Sequence, residues 1–162
     1  MAVIFKQVQQ TEKEILRNLY SFYLHDLSQF TSSIQIGEDG SFHYEDLEMF
    51  WDTEGITPYF LKVDERIAGF LLLLERPFLT RESDFSINDI FILNQYKGKG
   101  FGRQAVEWLF KEKRGKYVVV ELQENTPAVS FWRKLYNDLQ IEVKEAEENI
   151  DGERCFVQRF EV

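Results

Sequence analysis

The stretch that decides the fold is Asp89–Arg103, which reads DIFILNQYKGKGFGR. Its apolar run, Ile90–Leu93, is typical of a buried strand, and Gly98, Gly100 and Gly102 follow within a basic turn. The next residues, AVEWLFKEK, have apolar positions at helical spacing. A strand that passes through glycines into a helix presents several free N–H groups and the positive end of the helix dipole to one point. The stretch therefore predicts a binding site for a phosphate or a pyrophosphate.

Length and composition predict one globular domain over residues 1–162, because 44% of the residues are hydrophobic and 15% are aromatic. No apolar run approaches the roughly 18 residues that a membrane-spanning helix needs, and the first ten residues have no signal pattern. The single cysteine, Cys155, excludes an internal disulfide framework. We expect a soluble, cytoplasmic protein without a membrane partner.

The net charge of −9 argues against a nucleic-acid partner, since such proteins normally have a basic face. It fits a cationic substrate such as an amine, but acidity that serves only solubility is the stronger explanation. Against this background Lys97, Lys99 and Arg103 form a local basic cluster. An anion is therefore expected to bind at the glycine-rich turn.

The hydrophobic pattern predicts an α/β fold with a mixed sheet of six or seven strands and about four helices. Thr11 and Glu14 have the capping-box spacing for a helix that runs to Leu27. Further helices are predicted at 44–51, at 102–113 and from 125 through 135, and strands at 2–8, 58–63, 67–74, 85–93, 116–122, 140–146 and 155–160, with the last turn at 149–152. The strand, helix and strand of 85–122 predict a right-handed parallel crossover.

Other ligand sites fit this chain less well. No window has the P-loop pattern G-x-x-x-x-G-K-[ST]. A dinucleotide fingerprint would place an acid at about the position of Glu121, but the third glycine comes one residue early and only one parallel crossover is available. That alternative predicts NAD(P) binding. The two histidines, His25 and His43, lack metal-ligand spacing, so no metal site is expected, and no G-x-S-x-G motif indicates a serine hydrolase.

The glycine-rich stretch resembles the acetyl-coenzyme A site of the GNAT superfamily of N-acetyltransferases. The family pattern is [Q/R]-x-x-G-x-[G/A], and the frame from Lys97 to Gly102 matches it with lysine at the first position. A frame from Gln95 also fits by letter, but it places the glycines too early relative to the helix. Downstream, Asn125, Ala128 and Trp132 stand where the family has an asparagine and a helix of the A-x-x-x-[YW] type. The chain is also similar to a bacterial branch of predicted acetyltransferases, in FYLHDLSQF and ELQENTPAVSFWRKL.

The resemblance covers residues 58–135 and implies a sheet whose parallel pair of strands splays apart. It implies an N-acetyltransferase that moves acetyl from acetyl-coenzyme A to a primary amine by direct attack, with a small-molecule or peptide acceptor, and it is compatible with a homodimer. A backbone N–H near Ile92 would polarise the thioester carbonyl. The residues implied for the cofactor are Ile90, Phe91, Ile92, Lys97, Gly98, Lys99, Gly100, Phe101, Gly102, Arg103, Asn125 and Trp132.

The catalytic and acceptor residues are less defined by the pattern. Many family members use a tyrosine as the acid where this chain has Trp132, so an acyl-coenzyme A-binding sensor that transfers poorly is an alternative function. Glu121 and Asp89, one on each splayed strand, are candidate bases if burial raises the pKa or water relays the proton. Tyr20, Tyr23, His25 and Asp26 on the first helix are candidates for acceptor binding, with core packing as the other explanation for the tyrosines.

Overall fold

A seven-stranded mixed sheet with three α-helices forms the protein, and the computed structural model describes all of residues 1–162. The elements in chain order are β1 (Ile4–Gln7), α1 (Lys13–Leu27), β2 (Ile56–Val63), β3 (Arg66–Glu75), β4 (Phe85–Ile92), α2 (Phe101–Glu112), β5 (Lys116–Leu122), α3 (Thr126–Asp138), β6 (Lys144–Ile150) and β7 (Glu153–Glu161). Short 3₁₀ turns lie at Gln10–Glu12, Leu47–Trp51 and Asn94–Tyr96. None of the helices has the length and hydrophobicity that spanning a membrane requires.

The strand order is β1-β2-β3-β4-β5-β7-β6, and only β4 and β5 run parallel. Their pairing is limited to Phe85 with Tyr117 and Ser86 with Val118, after which the two strands separate. β4 stays paired with β3 from Phe85 to Ile92, apart from a bulge at Asn88. The predicted splayed parallel pair is therefore confirmed, and it leaves a gap in the middle of the sheet.

Close approach of β3 to β4 depends on a glycine. A Cβ atom on Gly69 would lie 1.8 Å from the carbonyl oxygen of Phe91, a distance that no side chain tolerates. Gly69 pairs with Ile92, the last residue of β4. The glycine thus sets the position of the strand end that leads into the glycine-rich turn.

The two faces of the sheet are covered by different helices. On one face α2 and α3 pack in a cluster of 14 buried residues that includes Leu109 and Trp132. On the other face α1 packs in a cluster of 11 that includes Tyr20 and Phe91. Because side chains alternate along a strand, neighbouring residues of β4 contribute to different clusters.

Two predictions for the first third of the chain are wrong. The capping box is not Thr11 with Glu14: Thr11 lies inside a 3₁₀ turn, and the carboxylate of Glu12 accepts the N–H of Gln9 at 3.1 Å. The helix expected at 44–51 is only the 3₁₀ turn Leu47–Trp51. Its buried residues, Leu47 and Phe50, are three apart, which matches the repeat of a 3₁₀ helix. The fold consequently has three α-helices instead of about four.

The strand predicted at 140–146 is displaced. β6 begins at Lys144, and all seven of its side chains are exposed. Ile141 and Val143, which fall within the predicted strand, pack against the core ahead of β6. The closing turn is also tighter than expected, because β6 continues through Ile150 and only Asp151 and Gly152 connect it to β7.

Candidate active site

A cleft of about 540 Å³ lies between α2 and α3 and opens onto the gap in the sheet. β4 contributes Ile90 and Ile92, and the glycine-rich turn contributes Tyr96 and Lys97 together with the residues that begin α2. The lining side chains include no serine, threonine, cysteine or histidine. The cleft can therefore hold a ligand, and none of these four side chains is available in it as a nucleophile.

Six consecutive backbone N–H groups, those of 98–103, have no hydrogen-bond partner within the protein. The first bond of α2 runs from the N–H of Gln104 to the carbonyl of Gly100, at 3.0 Å. Gly98 and Gly100 have φ angles of +75° and +83°, which favour glycine. A helix N-terminus with this many free donors is a binding site for an anion.

The cations at the cleft are mostly paired. Arg103 donates to Glu107 at 2.8 Å and to Asp138 at 2.6 Å, and so ties α2 to α3. Lys97 Nζ lies 3.6 Å from Asp26 Oδ2 at the end of α1, while Lys99 is exposed and unpaired. The backbone N–H groups are thus the main donors that remain available to an anion.

The edge of β4 that faces the gap is also unpaired. The N–H of Leu93 donates to Ala68 on β3 at 2.7 Å. Because successive backbone groups of a strand point in opposite directions, the N–H groups of Ile92 and Ile90 face the gap. The side chain of Phe91 is buried on the α1 face and its backbone polar groups face β3, so the structure does not support Phe91 as a cofactor-binding residue.

α3 forms the other wall of the cleft with Pro127, Ala128, Phe131 and Trp132. Asn125 is not part of the lining: its Oδ1 accepts the N–H of Ala128 at 3.3 Å and caps the helix. Asn125 therefore acts on the cleft by fixing the start of α3. The indole of Trp132 is 4% exposed and stacks on Tyr136.

Asp89 lies on the opposite face of β4, beneath α1. Its Oδ2 accepts hydrogen bonds from Tyr20 at 2.9 Å and from the Asn88 amide at 3.0 Å, and its Oδ1 accepts one from Tyr23 at 2.9 Å. Burial raises the pKa of Asp89, and these three donors oppose the rise. Burial, with Asp89 close by, raises the pKa of both tyrosines well above the usual value. Tyr20 and Tyr23 thus belong with Asp89 in one polar cluster.

Glu121 lies beneath α3 and is 5% exposed. Neither carboxyl oxygen has a hydrogen-bond partner. Burial, reinforced by Glu145, raises the pKa of Glu121 to about 8, so the carboxyl is mainly protonated at neutral pH. Glu145 is itself held by Arg133 and by the amide of Gln158. Glu121 does not line the cleft.

Sequence comparison identifies the family. Residues 17–136 match the family model described as acetyltransferase (GNAT) family. The chain belongs to the GNAT acetyltransferase family. No curated protein has a significant sequence match to it.

Solved structures of other GNAT proteins have the same fold at low identity. An acetyltransferase from Thermus thermophilus superposes with a TM-score of 0.73 at 13% identity, with 100% of this chain and 98% of that chain covered. The ribosomal-protein-S18-alanine N-acetyltransferase from Escherichia coli gives 0.62 at 15% identity, with 99% and 94% covered. PaiA N-acetyltransferase from Thermoplasma acidophilum, in complex with coenzyme A, gives 0.61 at 14% identity, with 100% of both chains covered.

The GNAT fold brings together only part of the predicted site. Ile90, Ile92 and Trp132 meet the glycine-rich turn at the cleft. His25 is exposed beside Phe42, away from Asp89 and its tyrosines. The cleft also includes Phe131 and Leu135, whose helical spacing from Ala128 could have indicated them.

A polar cluster on the loop after α1 does not have the geometry of a catalytic triad. Ser41, His43 and Asp39 are mutually hydrogen-bonded on an exposed loop, but the same ring nitrogen, Nε2, faces both Ser41 and Asp39. A catalytic triad uses the two different ring nitrogens, so this cluster cannot relay a proton in that manner. No group of three or more His, Cys, Asp or Glu side chains is placed to hold a metal ion.

Proposed function

We propose that this protein is an N-acetyltransferase that moves acetyl from acetyl-coenzyme A to a primary amine of a small molecule or peptide. The observation that carries the proposal is the run of six unpartnered N–H groups at 98–103, at the end of a cleft that opens onto the gap between β4 and β5. A pyrophosphate is the ligand that such a run would bind.

The layout of the cleft suits coenzyme A, because the free N–H groups at 98–103 lie at one end and the unpaired edge of β4 leads away from them. With the pyrophosphate at 98–103, an extended pantetheine arm would follow the unpaired edge of β4 and meet the backbone of Ile90 and Ile92. The indole of Trp132 would pack against that arm. Bound acetyl-coenzyme A supplies a thioester carbonyl, and the N–H of Ile92 is the donor best placed to stabilise negative charge on its oxygen.

Direct attack by the acceptor is favoured over a covalent acetyl-enzyme. No serine, threonine, cysteine or histidine lines the cleft, and Cys155, the single cysteine, is buried on β7 outside the cleft. Burial also raises the pKa of the Cys155 thiol, which lowers the thiolate fraction. The relatives from E. coli and T. acidophilum are both named N-acetyltransferases, which supports an amine nitrogen as the acceptor.

Of the two candidate bases, Asp89 is the better placed. It lies on β4 just beyond the point where the strands separate, and three donors favour its ionised form. Glu121 is mainly protonated and lies beneath α3, so it is a weaker candidate.

The proposal is tested by two measurements on the purified protein. Calorimetry with acetyl-coenzyme A, coenzyme A and NADH should show binding of the first two only. Release of free thiol should then depend on an added amine. Binding of NADH in preference to coenzyme A would contradict the cofactor assignment, and thiol release that no amine stimulates would contradict the acceptor.

An acyl-coenzyme A sensor of the same fold is the second candidate, and Trp132 favours it. An indole cannot donate a proton to the leaving thiolate, and the hydroxyl of Tyr136 is committed to Gln158 at 2.8 Å. Under this alternative acetyl-coenzyme A binds normally but no amine in a broad panel is acetylated.

A further inference from the structure

The acceptor must reach the gap from the face that the cofactor cleft does not occupy. The cleft lies on the α2 and α3 face, where Ile90 and Ile92 line it. The Asp89 cluster lies on the α1 face of the same strand. An amine that approaches on the α1 face meets a thioester held in the gap from the opposite side. The inference that follows rests on the proposed function and concerns the residues that bind the acceptor amine.

A β-bulge in β4 places one more polar side chain on the α1 face. Leu72 pairs with Asp89 and Leu73 pairs with Ile87, so Asn88 is an extra residue without a partner on β3. The Asn88 amide reaches Asp89 at 3.0 Å, which puts both side chains on the same side of the strand. Asn88 follows Ser86, the last residue paired with β5, by two positions. Unlike Asp89, Asn88 is exposed.

Asp89 fixes the orientation of the Asn88 amide. A carboxylate only accepts hydrogen bonds, so the NH₂ group of Asn88 must face it. The carbonyl oxygen, Oδ1, then points away from Asp89 and accepts no hydrogen bond from the protein, although the Tyr44 hydroxyl also lies close to the Asn88 amide. Asp89 is itself immobilised by Tyr20 and Tyr23. The result is a pre-oriented acceptor of hydrogen bonds at the point where the strands separate.

One apolar side chain, that of Val120, lies across the gap from Asn88. Ser86 and Val118 are paired in the parallel ladder and share a face, so Val120, two residues along β5, faces the same side. Val120 is 41% exposed. A molecule that lies between Asn88 and Val120 therefore meets one hydrogen-bond acceptor and one aliphatic surface.

We propose that Asn88 Oδ1 accepts an N–H of the acceptor amine and aims its lone pair at the gap, while Val120 contacts the apolar stem that carries the amine. An amide oxygen that accepts one N–H leaves the lone pair of a neutral amine nitrogen free to attack. In the transfer an N–C bond forms and the C–S bond breaks. The proton that the nitrogen loses passes through water to Asp89 and returns to the thiolate, which leaves an amide and a thiol.

The test compares Asn88→Ala and Asn88→Asp with Asn137→Ala, which removes an exposed asparagine from the end of α3. Thiol release is measured with butylamine, tyramine, ethanolamine and spermidine as probes, and acetyl-coenzyme A affinity and thermal stability are measured in parallel. Loss of one hydrogen bond should lower kcat/KM for the amine about tenfold, mainly through KM. Asn88→Asp should lose as much, because it lacks the NH₂ group that anchors the carbonyl. Affinity for acetyl-coenzyme A and the Tm should match those of Asn137→Ala.

Each other result overturns the inference, and the results separate it from the proposed function. If kcat/KM of Asn88→Ala stays within about twofold of wild type for every amine that is acetylated, Asn88 does not hold the amine although the protein is an N-acetyltransferase. If the variant loses acetyl-coenzyme A affinity or Tm to the same degree as activity, Asn88 acts on the fold instead. If the wild type binds acetyl-coenzyme A and acetylates none of the amines, both proposals fail.

Discussion

Tyr20 donates a hydrogen bond of 2.9 Å to Asp89 and thereby joins α1 to β4 in the interior of the protein. The ring of Tyr20 is fully buried and packs on Phe70 and Tyr44. The bond also fills one of the three donor positions around a buried carboxylate. This hydrogen bond therefore fixes both the position of α1 on the sheet and the orientation of the Asp89 carboxylate.

Replacing Tyr20 by phenylalanine keeps the ring and removes this donor. We expect Tyr20→Phe to lower the free energy of unfolding by about 1–3 kcal/mol, because hydrogen bonds to charged groups are the stronger class and Asp89 stays buried. Urea denaturation measures it. Tyr59→Phe is the control, since the Tyr59 hydroxyl has no partner in the protein. Equal stability of the two variants would show that the bond to Asp89 contributes nothing.

Glu121 should make stability depend on pH. Its pKa is about 8 in the folded protein against an ordinary value of 4.5, so the folded state holds more protons between these values. Stability should therefore fall as pH rises from about 4.5 to about 8 and should change no further from this group above that. Glu121→Gln cannot ionise, and we expect it to exceed wild type by a few kcal/mol, as an order of magnitude, at pH 8.5.

The control for this effect is Glu124→Gln, which removes an exposed carboxylate three residues away. Thermal unfolding of the three proteins is followed from pH 4 to pH 9. The advantage of Glu121→Gln over wild type should shrink towards zero at the acid end, and Glu124→Gln should have no such trend. A constant difference at all pH values would refute a pKa near 8.

Trp132 should limit the rate at which the thiol leaves. Trp132→Tyr supplies a phenol where many GNAT enzymes have one. Trp132→Phe supplies a ring of the same size as that of tyrosine but without the hydroxyl. We expect both variants to lose about 1–3 kcal/mol of stability from the smaller ring, and Trp132→Tyr to turn over about tenfold or more faster than Trp132→Phe. Thiol release at saturating acetyl-coenzyme A measures the ratio. Equal rates would mean that the phenol reaches no leaving group.

The fold was predictable where one residue pattern had one structural solution. The apolar run before the glycines and the run KYVVVEL after α2 allowed only a parallel crossover, and the structure has it. The pattern failed where apolar alternation belonged to a loop, as at Ile141 and Val143, or where two buried residues were three apart, as at Leu47 and Phe50. In these places the backbone conformation depends on packing against residues that are distant in the sequence. A short sequence window carries no information about that packing.

In the candidate site, too, some features could be predicted from the local sequence and others could not. The N–H groups of 98–103 follow from the local sequence, because glycines and a helix start are local features. The position of Asn88 does not, since it depends on a bulge set by the register of β3 against β4. The burial of Glu121 beneath α3 likewise depends on β6 and β7, which contribute Glu145 and Gln158. The roles of side chains on strands could therefore be assigned only once the pairing of the strands was known.

Calorimetric titration of wild type, Gly100→Ala and Gly152→Ala with acetyl-coenzyme A tests the central claim most directly. Gly100 and Gly152 have φ angles of +83° and +84°, and a Cβ at either position meets no atom within 4 Å, so both substitutions carry the same strain of about 1 kcal/mol. Only Gly100 lies among the N–H groups that should hold the pyrophosphate. We predict that wild type and Gly152→Ala bind acetyl-coenzyme A alike and that Gly100→Ala binds at least about tenfold more weakly. Equal affinity of Gly100→Ala and Gly152→Ala, or no binding by the wild type, would contradict the assignment of the cleft.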